Sequence, residues 1–232
     1  MSMKNSSVIL LSGGLDSLVA LGYSQKHTDY NVKLALTFDY GQKSRDAEIA
    51  ASKKISEYYG IEHKVIKLDW LKEITNTALV SDKTIPTEKL YTEESAASVW
   101  VPNRNALFLN IAACFCDSYG FNYILYGANK EEAGTFPDNT EEFRYQISKL
   151  FETSTLVKPQ VAAPLINYNK NDIVRIAVED SVPLKLVRSC YNSGDKHCGV
   201  CESCCHLKKA LIANHCEELI DYLFEKNENK IY

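Results

Sequence analysis

The sequence lacks the features of several protein classes. No apolar run reaches the roughly 18 residues of a membrane-spanning helix, and no signal-peptide cleavage pattern follows the apolar stretch near the N-terminus. Only 10 Gly and 6 Pro occur in 232 residues, which excludes collagen-like and disordered chains. Neither charge sign dominates, since 26 Lys and Arg stand against 30 Asp and Glu. We therefore expect a cytoplasmic globular protein with no membrane partner and no broad nucleic-acid-binding surface.

Two common nucleotide-binding motifs, GxxxxGK[ST] and GxGxxG, are also missing. In their place, the stretch SGGLDS at 12–17 follows a short apolar segment at 7–11 and precedes a helical pattern. Two glycines let the backbone approach an anion, Ser12 and Ser17 supply hydroxyl groups, and the helix N-terminus supplies N–H groups. The motif predicts a phosphate-binding loop. The competing interpretation is a glycine turn that only connects a strand to a helix.

Short apolar segments alternate with helical patterns along most of the chain. Strands are predicted at 7–11, 33–38, 63–68 and 123–126, and helices at 18–25, 44–59, 105–119, 141–153 and 170–180. Gly60 and Gly120 are placed as helix C-caps, and Asn169 as an N-cap. The alternation predicts an α/β fold with a doubly wound parallel sheet.

Two segments between these elements have no regular period. The segment 69–101 is expected to be a partly mobile excursion over the edge of the sheet. The polar segment 127–140 is too long for a simple turn and follows a predicted strand, where sheets of this kind commonly carry functional residues.

Cysteines cluster near the C-terminus, where five of the eight lie between 190 and 205. In a chain without secretory features, this spacing favours a metal site over a disulfide framework. The predicted ligands are Cys190, Cys198, Cys201 and Cys204, with His197 and His206 as weaker candidates. A closed four-thiolate site is typical of structural zinc, and an iron–sulfur cluster is the competing occupant. Cys114, Cys116 and Cys216 are predicted to be small core residues.

SGGLDS resembles the PP-loop of ATP pyrophosphatases. Together with the cysteine pattern, it resembles the 7-cyano-7-deazaguanine synthase family over almost the whole chain. The supporting stretches are Leu36–Gln42, Val101–Asn105, Ala163–Leu165 and Ser189–Gly199. The resemblance implies an adenine nucleotide alpha hydrolase-like domain at 1–185 and a small zinc-binding helical subdomain at 186–232.

The same resemblance implies an ATP-dependent C–N ligase of queuosine biosynthesis. Such an enzyme adenylates the carboxylate of 7-carboxy-7-deazaguanine, adds ammonia to form the amide, and dehydrates the amide with a second ATP. ATP, Mg²⁺ and Zn²⁺ are the expected cofactors, and a homodimer is the expected assembly. The alternative is a relative, suspected in antiviral gene clusters, that joins the activated carboxylate to a protein amine.

Roles for individual residues follow from the resemblance and from their positions after predicted strands. The nucleotide-binding set is Ser12, Gly13, Gly14, Leu15, Asp16, Ser17, Thr37 and Phe38. The catalytic set is Asp16, Asp39 and Arg104, and the substrate-binding set is Gln42, Arg104, Asn129, Phe136 and Asp138. Asp16 is expected to position Mg²⁺, Arg104 to neutralise phosphate or carboxylate, and Phe136 to stack on the substrate ring.

Each of these roles has a plain structural alternative. Phe38 can be a core residue, Arg104 a member of a surface ion pair, and Phe136 and Asp138 ordinary loop residues. The charged run at 130–132 can be a solvated surface. The segment 133–140 keeps the Pro-Asp pair of the family but lacks the Cys-Arg that follows it, so the acceptor of the activated carboxylate, ammonia or a protein amine, is left open.

Two further functional classes compete. A non-catalytic RNA-binding module is disfavoured by the acidic balance. A tRNA thiolase needs a pair of catalytic cysteines apart from the metal site. Cys114 and Cys116 are two residues apart on a predicted helix and cannot face each other.

Overall fold

Residues 5–226 are described by a computed structural model. Five strands form one parallel sheet in the order β3-β2-β1-β4-β5. The strands are β1 (Ser6–Leu10), β2 (Asn31–Asp39), β3 (Glu62–Lys67), β4 (Tyr123–Leu125) and β5 (Gln160–Ala162). The central strand, β1, is buried along its whole length, as its apolar run predicts. The predicted parallel α/β sheet is confirmed.

Helices connect and cover the strands. They are α1 (Leu15–His27), α2 (Arg45–Tyr59), α3 (Glu93–Val99), α4 (Arg104–Tyr119), α5 (Lys130–Ala133), α6 (Glu141–Ser154), α7 (Lys170–Glu179), α8 (Glu202–Ala213) and α9 (Glu217–Leu223). Strand order runs outward from β1 in both directions, so right-handed crossovers place α1 and α2 on one face and α4 and α6 on the other. The loops after β1 and β4 diverge at this reversal, which is where sheets of this type bind ligands.

The predicted helix ends are confirmed. Gly60 and Gly120 adopt left-handed conformations at the C-caps of α2 and α4, with φ of 66° and 72°. Asn169 forms a capping box with Asp172 at the start of α7. Within the described range, no helix has both the length and the hydropathy required to cross a membrane.

The segment 69–101, predicted as a partly mobile excursion over the sheet edge, has more regular structure than its lack of a period indicated. This stretch contains a 3₁₀-helix at Asp69–Glu73 as well as α3, and it buries Leu71, Leu79 and Ile85 in the main core. Its apolar residues anchor the chain one at a time, so they leave no periodic pattern in the sequence.

The prediction for the three scattered cysteines holds in part. Cys116 and Cys216 are buried, whereas Cys114 is exposed on α4, contrary to expectation. Strand β5 and helices α3 and α5 were not predicted, and α8 and α9 were expected only as part of a helical C-terminal subdomain, without bounds.

Candidate active site

The loop 12–17 joins β1 to the N-terminus of α1 and packs tightly against its neighbours. Gly13 has a φ of +78°, and a Cβ added there would lie 2.9 Å from Cβ of Ala51 on α2. A Cβ on Gly127, which follows β4, would lie 2.8 Å from the backbone nitrogen of Ser17. Glycine is required at both positions because other segments of the chain approach the loop closely.

The two serines of the loop have different tasks. Oγ of Ser17 donates to the carbonyl of Gly14 at 3.1 Å and accepts from the N–H of Ser12 at 3.3 Å. Oγ of Ser12 accepts from the N–H of Gly14 at 3.3 Å, and the Ser12 residue is exposed. Ser17, which is buried, therefore maintains the shape of the loop, while Ser12 lies at its exposed side.

Asp16 takes part in a cluster that the sequence did not reveal. Its Oδ2 lies 2.5 Å from Nζ of Lys170 on α7, which also lies 2.8 Å from Oε1 of Glu132 on α5. From the sequence, Glu132 could have been part of a solvated charge run. In the structure it contacts the buried ammonium of Lys170 instead. A lysine in the first turn opposes the helix dipole, and that unfavourable position is the one sequence signal that could have pointed to a carboxylate partner.

The pKa values of the cluster follow from burial and charge. Burial raises the pKa of Asp16 to about 6, with Lys170 opposing the shift and Glu132 adding to it. Burial also raises the pKa of Glu132, but the charge of Lys170 outweighs it and the net pKa is lowered. For Lys170, burial acts to lower the pKa, but the two carboxylates dominate and hold it well above its usual value. At neutral pH the cluster thus holds two carboxylates on one ammonium.

Two buried polar atoms at this place have no hydrogen-bond partner among the described residues. They are Oδ1 of Asp16 and Nδ2 of Asn129. Asn129 uses its other side-chain atom, Oδ1, to accept from the N–H of Glu132 at 3.1 Å and so cap α5. Because unpartnered buried polar groups are costly, these atoms fit a site that receives a polar ligand. The carboxylate oxygens of Asp16 and Glu132 are the donor type that Mg²⁺ prefers.

The end of β2 forms a second wall of the site. The hydroxyl of Thr37 donates to the carbonyl of Leu11 at 2.6 Å and lies 2.8 Å from Nε2 of His63. The ring of Phe38 stacks on Phe108, with centroids 3.9 Å apart and an interplanar angle of 4°. These side chains are engaged in the core, which leaves the backbone of Thr37 and Phe38 as the part that could contact a ligand.

Asp39 and Gln42 shape the turn after β2. Oδ1 of Asp39 accepts from the N–H of Gly41 at 3.2 Å. Gln42 is 3% exposed, and its amide donates to the carbonyl of Phe38 and to Oε2 of Glu48, each at 2.9 Å. The contacts of Gln42 are directed inward and suit a residue that positions the turn.

Arg104 connects this turn to the segment after β4. Its Nη1 donates to the hydroxyl of Tyr40 at 3.1 Å, and its charge opposes the increase that burial causes in the pKa of Asp138. Phe136 stacks on Trp100 with centroids 5.5 Å apart and an interplanar angle of 8°. Arg104 is therefore not part of a surface ion pair. Trp100, which stacks on Phe136, was not identified from the sequence.

The four predicted cysteines come together. The sulfurs of Cys190, Cys198, Cys201 and Cys204 all lie within 4.8 Å of one another. Backbone and side-chain N–H groups of Asn192 donate to the sulfurs of Cys190 and Cys198 at 3.4 and 3.5 Å. Four converging thiols with N–H donors around them fit a closed zinc site. His197 and His206, the weaker candidates, lie outside this cluster and contact Leu223 and Glu131 instead.

The family model for "Queuosine biosynthesis protein QueC" matches residues 6–215. The chain belongs to the QueC family. It is similar to the 7-cyano-7-deazaguanine synthase of Carboxydothermus hydrogenoformans, with 48% identity over 210 residues, 88% of this chain and 97% of the relative. The synthase of Methanosarcina barkeri is 45% identical over 215 residues (88% and 92%), and that of Bdellovibrio bacteriovorus is 42% identical over 227 residues (94% and 97%).

A solved structure shares the fold of this QueC-family chain. It is a 4-thiouridine synthetase in complex with RNA and bound ATP, with a TM-score of 0.51 and 21% identity. The match covers 94% of this chain and 52% of that one. The likeness supports the PP-loop type of α/β fold.

Proposed function

We propose that this chain converts 7-carboxy-7-deazaguanine to 7-cyano-7-deazaguanine with ATP and ammonia. The observation that carries the proposal is the convergence on one site of the tightly packed loop 12–17, the partnerless Oδ1 of Asp16, and Arg104 beside Asp138. The loop and Asp16 suit a nucleotide with its metal, and Arg104 and Asp138 suit a polar second substrate. The names of the relatives supply the product.

On the nucleotide side, the loop 12–17 holds the phosphates of ATP through backbone N–H groups and Ser12. Asp16 and Glu132 hold Mg²⁺, which when bound neutralises charge on the phosphates. The backbone at Thr37 and Phe38 contacts the adenine, while their side chains fix that strand end in the core. Lys170 keeps Asp16 and Glu132 close to each other and supplies a further positive charge to the departing pyrophosphate.

On the substrate side, Arg104 binds the carboxylate of the deazaguanine, and Asp138 accepts hydrogen bonds from the amidine edge of its base. Phe136, stacked on Trp100, extends an aromatic surface for the ring. Asn129 offers its unpartnered N–H group to a substrate oxygen. Asp39 and Gln42 fix the turn that carries Tyr40, which in turn orients Arg104.

Two activation steps complete the reaction. In the first, a carboxylate oxygen bonds to the α-phosphorus, the bond between that phosphorus and the bridging oxygen breaks, and pyrophosphate leaves. Ammonia then attacks the carbonyl carbon, loses a proton and expels AMP to give the amide. In the second, the amide oxygen is adenylated in the same way while the nitrogen loses one proton, and loss of AMP with the other N–H proton leaves the nitrile. Positioning of the reactants is the main contribution of the protein, since well-oriented groups gain up to roughly 7 to 11 kcal/mol.

The cysteine cluster is proposed to hold a structural zinc ion. All four positions are occupied by protein sulfurs, so no position is left for a substrate. The division into a nucleotide-binding domain at 1–185 and a zinc-binding subdomain at 186–232 is likewise a proposal. Its termini, residues 1–4 and 227–232, lie outside the described part of the chain.

Product stoichiometry tests the proposed function. The purified protein is incubated with 7-carboxy-7-deazaguanine, ATP, Mg²⁺ and ammonium, and the products are quantified by mass spectrometry. We expect two AMP per product and the loss of one water beyond the amide. A product that stays at the amide mass under excess ATP and ammonia contradicts the synthase. One AMP per product with the deazaguanine attached to a protein amine indicates the conjugating relative instead, because a secondary amide cannot become a neutral nitrile.

A further inference from the structure

The segment that leads into the cysteine cluster lies directly over the loop 12–17. Oγ of Ser189 accepts from the N–H of Leu15 at 3.0 Å. The neighbouring N–H of Arg188 donates to the carbonyl of Gly13 at 2.7 Å. Two hydrogen bonds therefore hold residues 188–189 against the loop, although the sequence places them at opposite ends of the chain.

The same segment is held firmly on its other side. The N–H of Ser189 donates to Nε2 of His197 at 3.0 Å, and Nδ1 of His197 lies 3.1 Å from the carbonyl of Leu223. His197 is 2% exposed, and the residue after Ser189 is Cys190, the first member of the cysteine cluster. The hydroxyl of Ser189 is thus fixed relative to the cluster and cannot move away from the loop without breaking these contacts.

The hydroxyl of Ser189 lies at the start of α1, where an anion-binding group is expected. Leu15 is the first residue of α1, and its N–H is one of those that a helix leaves without an internal partner. Oγ of Ser189 also lies 3.8 Å from the point where a Cβ on Gly14 would be. An anion bound at the start of α1 on this side would therefore lie beside the Ser189 hydroxyl, which already accepts from the N–H of Leu15.

The proton of this hydroxyl is available for a ligand. The oxygen of Ser189 already accepts from Leu15, so its hydrogen is the group left to donate. The hydroxyl of Ser17, by contrast, is committed to the carbonyl of Gly14. The hydroxyl groups that face the anion are consequently those of Ser12 and Ser189.

We propose that Ser189 is a nucleotide-binding residue, supplied by the cysteine-rich segment, that donates a hydrogen bond to a non-bridging oxygen of the β- or γ-phosphate of ATP. The inference rests on the proposed function, because it takes the loop 12–17 as the phosphate site. It adds that the site is completed from a distant part of the chain.

Binding measurements on matched variants test the assignment. Isothermal titration calorimetry gives Kd values for MgATP, for inorganic pyrophosphate with Mg²⁺, and for adenosine. The proteins are the wild type, Ser189→Ala, the pair Ser189→Thr and Ser189→Val, and Ser193→Ala as an exposed control in the same segment. Zinc content and melting temperature establish that each variant is folded with its metal.

We expect Ser189→Ala and Ser189→Val to weaken binding of MgATP and pyrophosphate about tenfold, the lower end for a hydrogen bond to a charged group. Binding of adenosine should stay within twofold of the wild type. Ser189→Thr should keep phosphate affinity because it retains the hydroxyl, and Ser193→Ala should match the wild type. If Ser189→Ala does not fold, the comparison of Thr with Val decides.

Two results would overturn the inference. One is pyrophosphate affinity within twofold of the wild type in the variants that lack the hydroxyl, which would leave Ser189 as a cap for Leu15 only. The other is an equal loss for adenosine, which would indicate a distorted loop. A wild-type protein that is folded and metal-bound yet binds neither ATP nor pyrophosphate would instead refute the proposed function, and the inference with it.

Discussion

The loop 12–17 and the segment 130–140 face the same site but are built in different ways. The loop is surrounded by α2, Gly127 and Ser189, which come from distant parts of the chain. The segment 130–140 consists of the one-turn helix α5 and a 3₁₀-helix at Pro137–Asn139. Its long-range contacts include those of the side chains of Glu131, Glu132 and Phe136. Asn129 caps α5, and Thr140 at the far end caps α6.

This difference determines which residues of the two regions can be substituted without disturbing other segments. A change at Gly13 or Leu15 of the loop disturbs another segment, because α2 and Ser189 contact these residues. Within 130–140, an exposed residue that makes no such contact, such as Gly134, can change without disturbing another segment. Under the proposed function, residues 133–140 can therefore change the substrate contacts while the loop 12–17 stays intact, in line with the residues that follow the Pro137-Asp138 pair.

Lys170 connects the two regions directly, and its replacement breaks that connection. Lys170→Met leaves the carboxylates of Asp16 and Glu132 without their cation. We expect the free energy of unfolding to fall by about 2 to 3 kcal/mol, less than for a fully buried pair because Glu132 is partly exposed. Lys130→Met, which alters an exposed lysine of the same segment, is the control and should have little effect.

The pH dependence of that loss has a definite sign. Without Lys170, burial raises the pKa of both carboxyls above their values in the unfolded chain. The folded variant then binds more protons than the unfolded one, so its stability falls as pH rises above about 4. Urea unfolding should show a larger deficit at pH 8 than at pH 5. A deficit that shrinks with rising pH would mean that Lys170 does not pair with these groups.

Two glycine substitutions sharpen the comparison. Gly13→Ala places a methyl group 2.9 Å from Cβ of Ala51 at a φ of +78°, and we expect a loss of about 2 kcal/mol in stability together with loss of ATP binding. Gly134→Ala meets only the carbonyl of Glu131, at 3.5 Å, and Gly134 has a φ of −71°. It should fold and bind ATP as the wild type does. Equal effects of the two substitutions, measured by thermal melting and calorimetry, would remove the distinction between the regions.

The smallest effect is expected on the substrate side. Phe136→Leu removes the stacking on Trp100, worth about 1 kcal/mol. We expect a several-fold higher KM for the deazaguanine with the KM for ATP unchanged, in steady-state assays that vary one substrate at a time. Tyr145→Leu, at an exposed aromatic of α6, serves as the control. A change in the KM for ATP alone would assign Phe136 to the nucleotide.

Elements that carry their own signals were predictable. Strands β1 to β4 and helices α1, α2, α4, α6 and α7 have an apolar pattern, and several have a recognisable cap. Strand β5 has three residues and depends on pairing with β4, so nothing local marks it. The segment 69–101 was missed because its buried residues are isolated anchors.

The same distinction applies to the candidate site: local motifs were predictable, and contacts between distant residues were not. The loop 12–17 and the four cysteines are compact motifs whose chemistry is legible in the sequence. The partners of Asp16 are not, since Lys170 lies 154 residues from it along the chain, and Glu132 lies 38 residues from Lys170. Only folding brings these residues together, and no periodicity or composition encodes their distance.

The contact between Leu15 and Ser189 spans 174 positions of the chain. During translation the N-terminal part emerges and begins to fold first, so the loop exists well before the serine that lies over it has been synthesised. Closing a contact of such long range is also slow compared with forming local helices. A ribosome-bound chain that ends before residue 189 thus presents a glycine loop without the hydroxyl that contacts Leu15, and this contact is among the last features that the growing protein acquires.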